Sequence, residues 1–294
     1  MNFLKKSLLF LSIQFVINPA LAQSTDITLN ANPLLELGMN TQLLRLKGNV
    51  TEMQEHRFAV DAQGHTANDS ASVSKVYKFD PNGLTKEIEQ TIRNQQSKKS
   101  FFSYTNKGYV SHIDIETLLF SSEKDTADTN IGNEAEKDPI FSTADYKYVQ
   151  KKNILFKGED YTENVPQKTT VRKDYFYHFN DNNQIFQIDN QTSDLAIKYN
   201  YDANGLIKES LTVKSGKPFS KNIYKYDRNS RLINLTTINS DNTTKYPNEE
   251  TIISYKIDSK GNAIEKKVKK YFYSPEGIKK FNEGCLYLYN YTYL

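Results

Sequence analysis

The stretch that decides the fold is residues 197–211, Ile-Lys-Tyr-Asn-Tyr-Asp-Ala-Asn-Gly-Leu-Ile-Lys-Glu-Ser-Leu. At its centre, Asp202 stands at the first position of a predicted type I turn, and Gly205 stands where the chain must adopt a positive φ. Apolar and polar residues alternate on both sides of the turn. The pattern predicts a β-hairpin that is closed by a glycine bulge and has one apolar and one polar face.

The same turn recurs along the chain. The members with Asp first and Gly last are Asp61 with Gly64, Asp80 with Gly83, Asp202 with Gly205, and Asp258 with Gly261. Variants begin at Asn180 and Asp227 and end in Asn or Ser. The repetition predicts an all-β fold of consecutive antiparallel β-hairpins that form a curled sheet or a barrel-like meander. Closure into a barrel would remove the exposed strand edges.

Counting outward from each turn places an aromatic residue opposite an acid or an amide. The predicted pairs are Phe58 with Asn68, Tyr77 with Glu87, Tyr177 with Gln187, Tyr199 with Glu209, Tyr224 with Asn234, and Tyr255 with Glu265. A half-buried tyrosine needs a partner for its hydroxyl, and a polar side chain directly across the ribbon is within reach. We therefore interpret these residues, together with the turn residues, as a structural ladder.

These segments also carry a family resemblance. Residues 199–207 (Tyr-Asn-Tyr-Asp-Ala-Asn-Gly-Leu-Ile), 224–227 (Tyr-Lys-Tyr-Asp) and 77–84 (Tyr-Lys-Phe-Asp-Pro-Asn-Gly-Leu) resemble the YD repeats of the Rhs family. The resemblance covers about residues 44–270 with interruptions, and Leu206 or Leu84 replaces the Arg that usually follows the turn glycine. Large Rhs proteins enclose a toxin in a shell of such repeats, but the resemblance here is to the strand unit alone. It implies β-hairpins in series, and the enclosing role of the large proteins is not carried over to this much shorter chain.

The first 22 residues have the form of a bacterial secretory signal. Two lysines precede an apolar run at 8–17, and Ala20-Leu21-Ala22 predicts cleavage before Gln23. We therefore expect a signal peptide at 1–22 and a single β-hairpin repeat domain at 23–294, located in the periplasm or outside the cell. No later run reaches the ~20 apolar residues that a membrane helix needs.

Residues 121–145 interrupt the hairpin pattern with seven acids against Lys124 and Lys137. A stretch with so little to bury predicts a solvated, mobile acidic insertion between two hairpins. The alternative is a cation site or a partner-binding loop, although the spacing differs from that of an EF-hand.

The net charge and the amino-acid composition limit the functions that can be expected of this chain. Subtracting the two lysines at positions 5 and 6 from the formal charge of +3 leaves +1, which gives no indication of nucleic-acid binding. Twenty Tyr, sixteen Phe and no Trp fit an all-β domain with wet faces. Cys285 is the only cysteine, so an intrachain disulfide is excluded.

The sequence contains no recognisable catalytic, cofactor-binding or metal motif. The histidines His56, His65, His112 and His178 are spread over several predicted hairpins, and Cys285 has no His beside it. We therefore predict no catalytic residue, no metal ligand and no cofactor.

Lysines concentrate near the C-terminus. The cluster comprises Lys266, Lys267, Lys269, Lys270, Lys279 and Lys280. Lysines on a strand prevent edge-to-edge aggregation, which is the first interpretation. The second is contact with an anion, such as lipopolysaccharide phosphate, a glycan or an acidic partner.

The resulting expectation is an exported, non-enzymatic binding or scaffold protein whose partner is a protein or an envelope glycan. A periplasmic immunity or interaction protein is a specific version of it. The alternative is a cell-envelope glycan hydrolase or glycan-binding module that uses the concave face of the sheet. Two carboxylates ~5–10 Å apart in a cleft would favour a hydrolase.

Overall fold

A computed structural model describes residues 33–37, 44, 46–66, 70–93, 95–119, 139–164 and 169–294. It contains sixteen antiparallel strands, each paired with its neighbours in sequence, and β1 pairs with β16 to close a barrel. The all-β meander predicted from the turns is confirmed, and of the two predicted shapes it takes the closed one.

A short 3₁₀ helix at Pro33–Glu36 precedes the barrel. The strands are β1 (Val50–Val60), β2 (Val73–Phe79), β3 (Thr85–Ile92), β4 (Gln96–Tyr104), β5 (Val110–Leu119), β6 (Ile140–Lys151), β7 (Ile154–Asn164), β8 (Thr169–Phe179), β9 (Ile185–Asn190), β10 (Leu195–Tyr201), β11 (Ile207–Lys214), β12 (Lys217–Tyr226), β13 (Leu232–Asn239), β14 (Glu249–Ile257), β15 (Ala263–Tyr273) and β16 (Lys279–Tyr293).

Two predicted segments fall partly or wholly outside the described residues. The signal peptide at 1–22 lies outside them, and so does most of the acidic insertion at 121–145. Its last six residues, 140–145, belong to β6. None of the helices in the described ranges is long and apolar enough to cross a membrane.

The repeated turns collect at one end of the barrel. Because consecutive strands alternate in direction, every turn that follows an even-numbered strand lies at the same end, which we call the turn end. The turns that begin at Asp80, Asn180, Asp202, Asp227 and Asp258 are all of this kind. Asp61 and Gly64 follow β1 and therefore lie at the opposite, loop end.

The turn chemistry explains why Asp recurs. Asp202 Oδ1 accepts hydrogen bonds from the N–H groups of Asn204 and Leu206, both at 2.9 Å. The N–H of Gly205 donates to the carbonyl of Asp202 at 3.1 Å. Gly205 has φ 75° and Gly83 has φ 80°, which confirms the predicted positive φ at both glycines.

The predicted cross-strand register is wrong by one residue beyond the turn. Tyr201 pairs with Ile207 as expected, but the register then shifts and Tyr199 faces Ser210. The reason is a β-bulge, which sets two residues of one strand against one of the other and moves every later side chain to the opposite face. The observed partners are Ile88 for Tyr77, Ile188 for Tyr177, Ser210 for Tyr199, Leu235 for Tyr224, and Lys266 for Tyr255.

The acids of the predicted ladder consequently lie on the outer face of the barrel. Glu87 contacts Lys78 at 2.9 Å and Glu265 contacts Lys256 at 2.8 Å. Glu209 pairs with Lys221 on β12 at 2.9 Å. These are surface ion pairs and not partners of buried tyrosines.

Four tyrosine hydroxyls donate to backbone carbonyls, whereas the hydroxyl of Tyr224 hydrogen-bonds that of Ser210 at 3.0 Å. The observed donors and carbonyl acceptors are Tyr104 to Thr85 (2.5 Å), Tyr201 to Ile185 (2.5 Å), Tyr255 to Leu232 (2.9 Å) and Tyr291 to Ala263 (2.7 Å). Each acceptor is the first residue of a strand that follows a turn, beside the bulge that interrupts the ladder. The tyrosines therefore satisfy carbonyl groups at the places where regular pairing is broken.

Candidate binding site in the barrel lumen

A cavity of about 250 Å³ lies in the lumen at the turn end. Its wall is built from inward-facing positions of neighbouring strands and from the N-terminal segment. The aromatic and larger aliphatic members are Leu34, Leu44, Leu46, Met53, Ile185, Tyr201, Leu206, Ile207, Tyr226, Leu232, Tyr255, Tyr289 and Tyr291. An apolar, ring-lined hollow in the mouth of a barrel is a common form of ligand site.

Three of the five tyrosines that line this cavity bond their hydroxyls to the backbone. The hydroxyls of Tyr201, Tyr255 and Tyr291 donate to backbone carbonyls, as described above. Burial raises the pKa of Tyr201 to about 12, so its phenol stays protonated at any physiological pH. The hydroxyls of these three tyrosines are therefore neutral and already engaged with the backbone.

The N-terminal segment forms one side of the cavity and is fastened to the barrel. Asn262, only 2% exposed, accepts a hydrogen bond from the N–H of Lys47 at 2.6 Å and donates to the Lys47 carbonyl at 2.9 Å. Its amide also donates to the hydroxyl of Tyr293 at 2.8 Å. Leu37, 2% exposed, packs on Leu155 and neighbouring lumen residues. The turn end is thus partly closed by the chain itself.

A buried lysine on β15 also lines the cavity. Lys266 is 1% exposed, faces Tyr255 and Tyr287 across the sheet, and lines the cavity. Its Nζ lies 3.8 Å from the centre of the Tyr287 ring, which is a cation–π contact. The bulge in β15 that shifts the predicted register also turns this lysine inward.

The rest of the predicted basic cluster does not form one patch. Lys267 pairs with Glu265 at 3.6 Å, Lys270 with Glu283 at 2.5 Å, and Lys279 with Glu250 at 2.6 Å. Lys269 donates to the carbonyl of Ala62 at 2.6 Å. The side chains of Lys267, Lys269, Lys270 and Lys279 therefore contact acids or backbone groups on or near the outer surface.

Further cations lie at inward-facing positions of β1, β2 and β4. Lys75 on β2 faces Glu55 on β1, with 3.9 Å between Nζ and Oε1, and Arg57 on β1 donates through Nε to Cys285 Sγ at 3.3 Å. Lys98 on β4 lies in line with Lys75 through Gln90 on β3. Burial lowers the pKa of Lys98 to about 8.

The histidines do not come together in a common site. His112 lies on the outer face between Asp114, at 3.0 Å, and Asp145, at 2.8 Å, and these two carboxylates hold the pKa of His112 above its usual range. His178 contacts Asp189 at 2.7 Å on a different hairpin. Within the described ranges, no group of three or more His, Cys, Asp or Glu is arranged to hold a metal ion.

The cavity wall offers little for acid–base chemistry. Among the described residues that line it there is no Asp, Glu, His or Cys. Its polar side chains are amides, a serine, the tyrosines, Arg231 and Lys266. Arg231 already donates to the carbonyl of Gly261 at 3.1 Å and lies 3.7 Å from Asp227. Such a wall can enclose a molecule and contact it without supplying a carboxylate pair.

Of the residues singled out from the sequence, Gly205, Tyr255 and Gly261 line the cavity. The turn residues Asp202, Gly205, Asp258 and Gly261 shape the turn end, and the outward acids lie on the far side of the wall. Sequence reasoning missed Lys266 as a lumen residue, although strand alternation would have indicated it once the bulge was counted.

No protein-family model and no curated protein matches the chain. Among solved structures, it is similar to a porin-like protein from Bacteroides uniformis ATCC 8492, with 7% identity over 84% of this chain and 99% of that chain, at a TM-score of 0.35. A porin-like protein from Bacteroides vulgatus ATCC 8482 gives 12% identity over 83% and 98%, at 0.32. A chain of the TcdB2-TccC3-Cdc42 structure gives 10% identity over 77% of this chain and 15% of that chain, at 0.26. At these TM-scores the similarities assign neither a family nor an activity.

Proposed function

We propose that this chain is an exported, non-enzymatic binding protein that encloses a small, largely apolar ligand in the lumen cavity at the turn end. The observation that carries the proposal is the ring-lined cavity itself. Its tyrosine rings and aliphatic side chains would gain from covering an apolar surface, at roughly 25 cal/mol per Å² buried. In this view the YD-like hairpins are the scaffold, and the resemblance to Rhs repeats is one of architecture.

The outer face supports a location in water. Oppositely charged side chains pair there, as between Lys221 and Glu209 at 2.9 Å and between Arg172 and Asp160 at 3.3 Å. A barrel wall in contact with lipid carries an apolar band instead. Together with the signal-like residues 1–22, this favours the periplasm or the extracellular medium.

The test uses a neutral apolar fluorophore, N-phenyl-1-naphthylamine, titrated into the purified protein. Its emission should rise saturably with the wild type. Ala263 lines the cavity, so Ala263→Leu should fill part of it and weaken binding at least about fivefold, a change of roughly 1 kcal/mol. Ala196→Leu on the outer face of β10 is the matched control and should bind as the wild type. Equal binding by the two variants, or no binding by the wild type, would contradict the proposal.

The glycan alternatives fit this wall less well. A hydrolase needs a pair of carboxylates at the scissile bond, and the described lining residues contain none. A glycan-binding site needs free polar groups for sugar hydroxyls, whereas the hydroxyls of Tyr201, Tyr255 and Tyr291 are already bonded to the backbone. Both alternatives would require another part of the molecule.

A protein-interaction role, including that of a periplasmic immunity protein, is the second candidate. Phe101 is 41% and Phe141 is 51% exposed on the outer face of β4 and β6, and Asp114 and Glu116 lie between them on β5. Exposed aromatic residues are typical of protein contacts. A partner recovered from the periplasm by affinity purification should be lost with Phe141→Ser and retained with Ala263→Leu. The reverse result would assign the partner to the lumen end.

A further inference from the structure

We propose that ligands enter and leave the lumen cavity at the turn end, when Leu46 and Lys47 detach from the side chain of Asn262, which holds this entrance closed. This inference rests on the proposed function, because it assigns the route into the same cavity and the residue that controls it.

The first step is where the cavity meets the solvent. Gly205, Ser230 and Asn262 line it and belong to or adjoin turns at the turn end, so the cavity reaches the rim there. Toward the loop end, Val268 and Tyr287 are each 4% exposed and pack in one cluster with residues of β2 and β3. The shortest route from the cavity to solvent therefore passes through the turn end.

The second step is what covers this route. Leu34, Leu44 and Leu46 of the N-terminal segment line the cavity, and Leu44 and Leu46 pack, partly buried, against the same cluster. Lys47, the next residue, is exposed, and its backbone is bonded to Asn262. The covering chain therefore has aliphatic side chains on the cavity side and meets water on the other side.

The third step is the latch. The Asn262 side chain accepts a hydrogen bond from the N–H of Lys47 and donates one to its carbonyl, at 2.6 and 2.9 Å. The turn before Asn262 does not depend on these bonds, because Asp258 holds it through the N–H groups of Lys260 and Asn262. The hydroxyl of Tyr293, which accepts from the Asn262 amide, also donates to Asp258 at 3.0 Å. Loss of the amide therefore releases Lys47 while the turn and Tyr293 keep their own partners.

The fourth step is that the covering chain can move by itself. Gly48 stands between Lys47 and the start of β1 and has φ 78°, a conformation that glycine adopts readily. On its other side, the carbonyl of Asn49 accepts a hydrogen bond from the N–H of Leu294 at 2.9 Å, which fixes the chain to the barrel. Residues 47–49 are exposed, so the backbone groups freed at Lys47 would be hydrated. A rotation about Gly48 would therefore open the entrance while β1 stays paired.

The experiment is stopped-flow fluorescence with N-phenyl-1-naphthylamine, which gives the association and dissociation rate constants of the wild type and of each variant. Asn262→Leu introduces a side chain of similar size that can bond neither polar group of Lys47. Both rate constants should rise about tenfold, because the two lost hydrogen bonds favour the open entrance, whereas the dissociation constant should change less than about threefold.

Asn222→Leu is the matched control. Asn222 faces Ser210 on the inner side of the wall and accepts a hydrogen bond from the Thr237 hydroxyl at 2.8 Å. It precedes the cavity residue Tyr226 on β12 and so lies farther from the turn end. Its rate constants should equal those of the wild type. Faster exchange in Asn222→Leu than in Asn262→Leu would place the route at the loop end and overturn the proposal.

A reversible crosslink tests the route directly. A Cβ placed on Gly261 would lie 3.7 Å from Lys47 Cγ, so Lys47→Cys/Gly261→Cys in a Cys285→Ser background brings two sulfur atoms within bonding reach. Oxidation should lower both rate constants about tenfold or more, and reduction should restore them. If the disulfide does not form, the comparison of Asn262→Leu with Asn222→Leu decides.

The outcomes separate the two levels. Saturable binding by the wild type, with unchanged rate constants in Asn262→Leu and equal ones in the oxidised and reduced crosslinked variant, would overturn the entrance and leave the cavity as proposed. No binding of the fluorophore by the wild type at equilibrium would overturn the proposed function, and this inference with it.

Discussion

At the scale of single residues, tyrosine hydroxyls donate hydrogen bonds to the backbone carbonyls that lie next to the β-bulges. Tyr201 donates to the carbonyl of Ile185 at 2.5 Å, and Tyr255 and Tyr291 repeat the contact on later strands. A buried carbonyl without a partner costs more than a single hydrogen bond contributes. These hydroxyls are therefore part of the barrel's stability, while their rings serve the cavity.

Removing one such hydroxyl should lower the stability of the protein by a measurable amount. We expect Tyr201→Phe to lower the free energy of unfolding by about 1 kcal/mol in urea denaturation, because the Ile185 carbonyl loses its donor. Glu209→Ala, which removes an outer-face ion pair with Lys221, should cost within about 0.5 kcal/mol. Tyr199→Phe and Glu209→Ala should be additive, since the two side chains lie on opposite faces. A larger cost for Glu209→Ala than for Tyr201→Phe would contradict the observed register.

His112 makes stability depend on pH. Hydrogen bonds to Asp114 and Asp145 raise its folded-state pKa above the ordinary value of 6.5. Its contribution to stability is therefore complete below the unfolded-state pKa and is lost as the pH rises through the raised folded-state pKa. Denaturant midpoints measured across this window should fall with pH in the wild type and fall less in His112→Asn. NMR titration of Asp114→Asn should show a lower pKa for His112; an unchanged pKa would exclude the carboxylate as its cause.

At the scale of elements, the repeated structural unit is a four-residue turn followed by a β-bulge. In each turn, the side-chain oxygen of the first residue accepts hydrogen bonds from backbone N–H groups. Asn180 supplies the same acceptor as Asp202, since its Oδ1 accepts the N–H groups of Asn182 and Gln184 at 3.0 and 2.9 Å. The negative charge is thus not required for the turn, but the oxygen is.

This distinction predicts the effect of two substitutions at one position. Asp202→Asn keeps the oxygen and should change the free energy of unfolding by less than about 0.5 kcal/mol. Asp202→Ala leaves the N–H groups of Asn204 and Leu206 without that acceptor and should cost about 1–2 kcal/mol. Chemical denaturation compares the two directly. Equal losses would mean that the charge, and not the acceptor geometry, stabilises the turn.

At the scale of the whole molecule, closure joins the two ends of the chain. Val50 at the start of β1 pairs with Tyr293 near the end of β16, and the N–H of Leu294 donates to the carbonyl of Asn49 at 2.9 Å. The barrel therefore has no free strand edge between β1 and β16, and its lumen is separated from the outer face around the full circumference.

A cross-strand disulfide tests closure. Gln54 and Asn290 face each other between β1 and β16, so Gln54→Cys/Asn290→Cys in a Cys285→Ser background should oxidise to an intrachain disulfide and stabilise the protein by about 2–4 kcal/mol. Gln54→Cys/Ser254→Cys is the control, because β14 lies three strands from β1, roughly 14 Å away. Non-reducing mass spectrometry distinguishes them. An open sheet would leave both pairs unlinked.

The turns and the alternation determined, by themselves, an all-β chain of consecutive hairpins. Both are local: Asp202 bonds to residues two and four positions away, and Gly205 needs a positive φ whatever surrounds it. The apolar face of each ribbon then requires a common core, and a meander is the simplest way to share it. For these reasons the fold class could be predicted without any tertiary contact.

Only the tertiary structure decided the register beyond the turns, the closure of the barrel and the composition of the lumen. A bulge shifts the strand register by one residue, so that side chains expected on the inner face lie on the outer face and the reverse. The shift buries Ile88, Ile188 and Leu235 in place of Glu87, Gln187 and Asn234. The gain comes from packing against distant strands, which a count outward from the turn does not include. The same shift carries Lys266 into the lumen and Glu265 to the surface. The cavity itself could not be predicted from the sequence, because its wall combines residues of β1, of β9–β16 and of the N-terminal segment, which meet only once the barrel has closed.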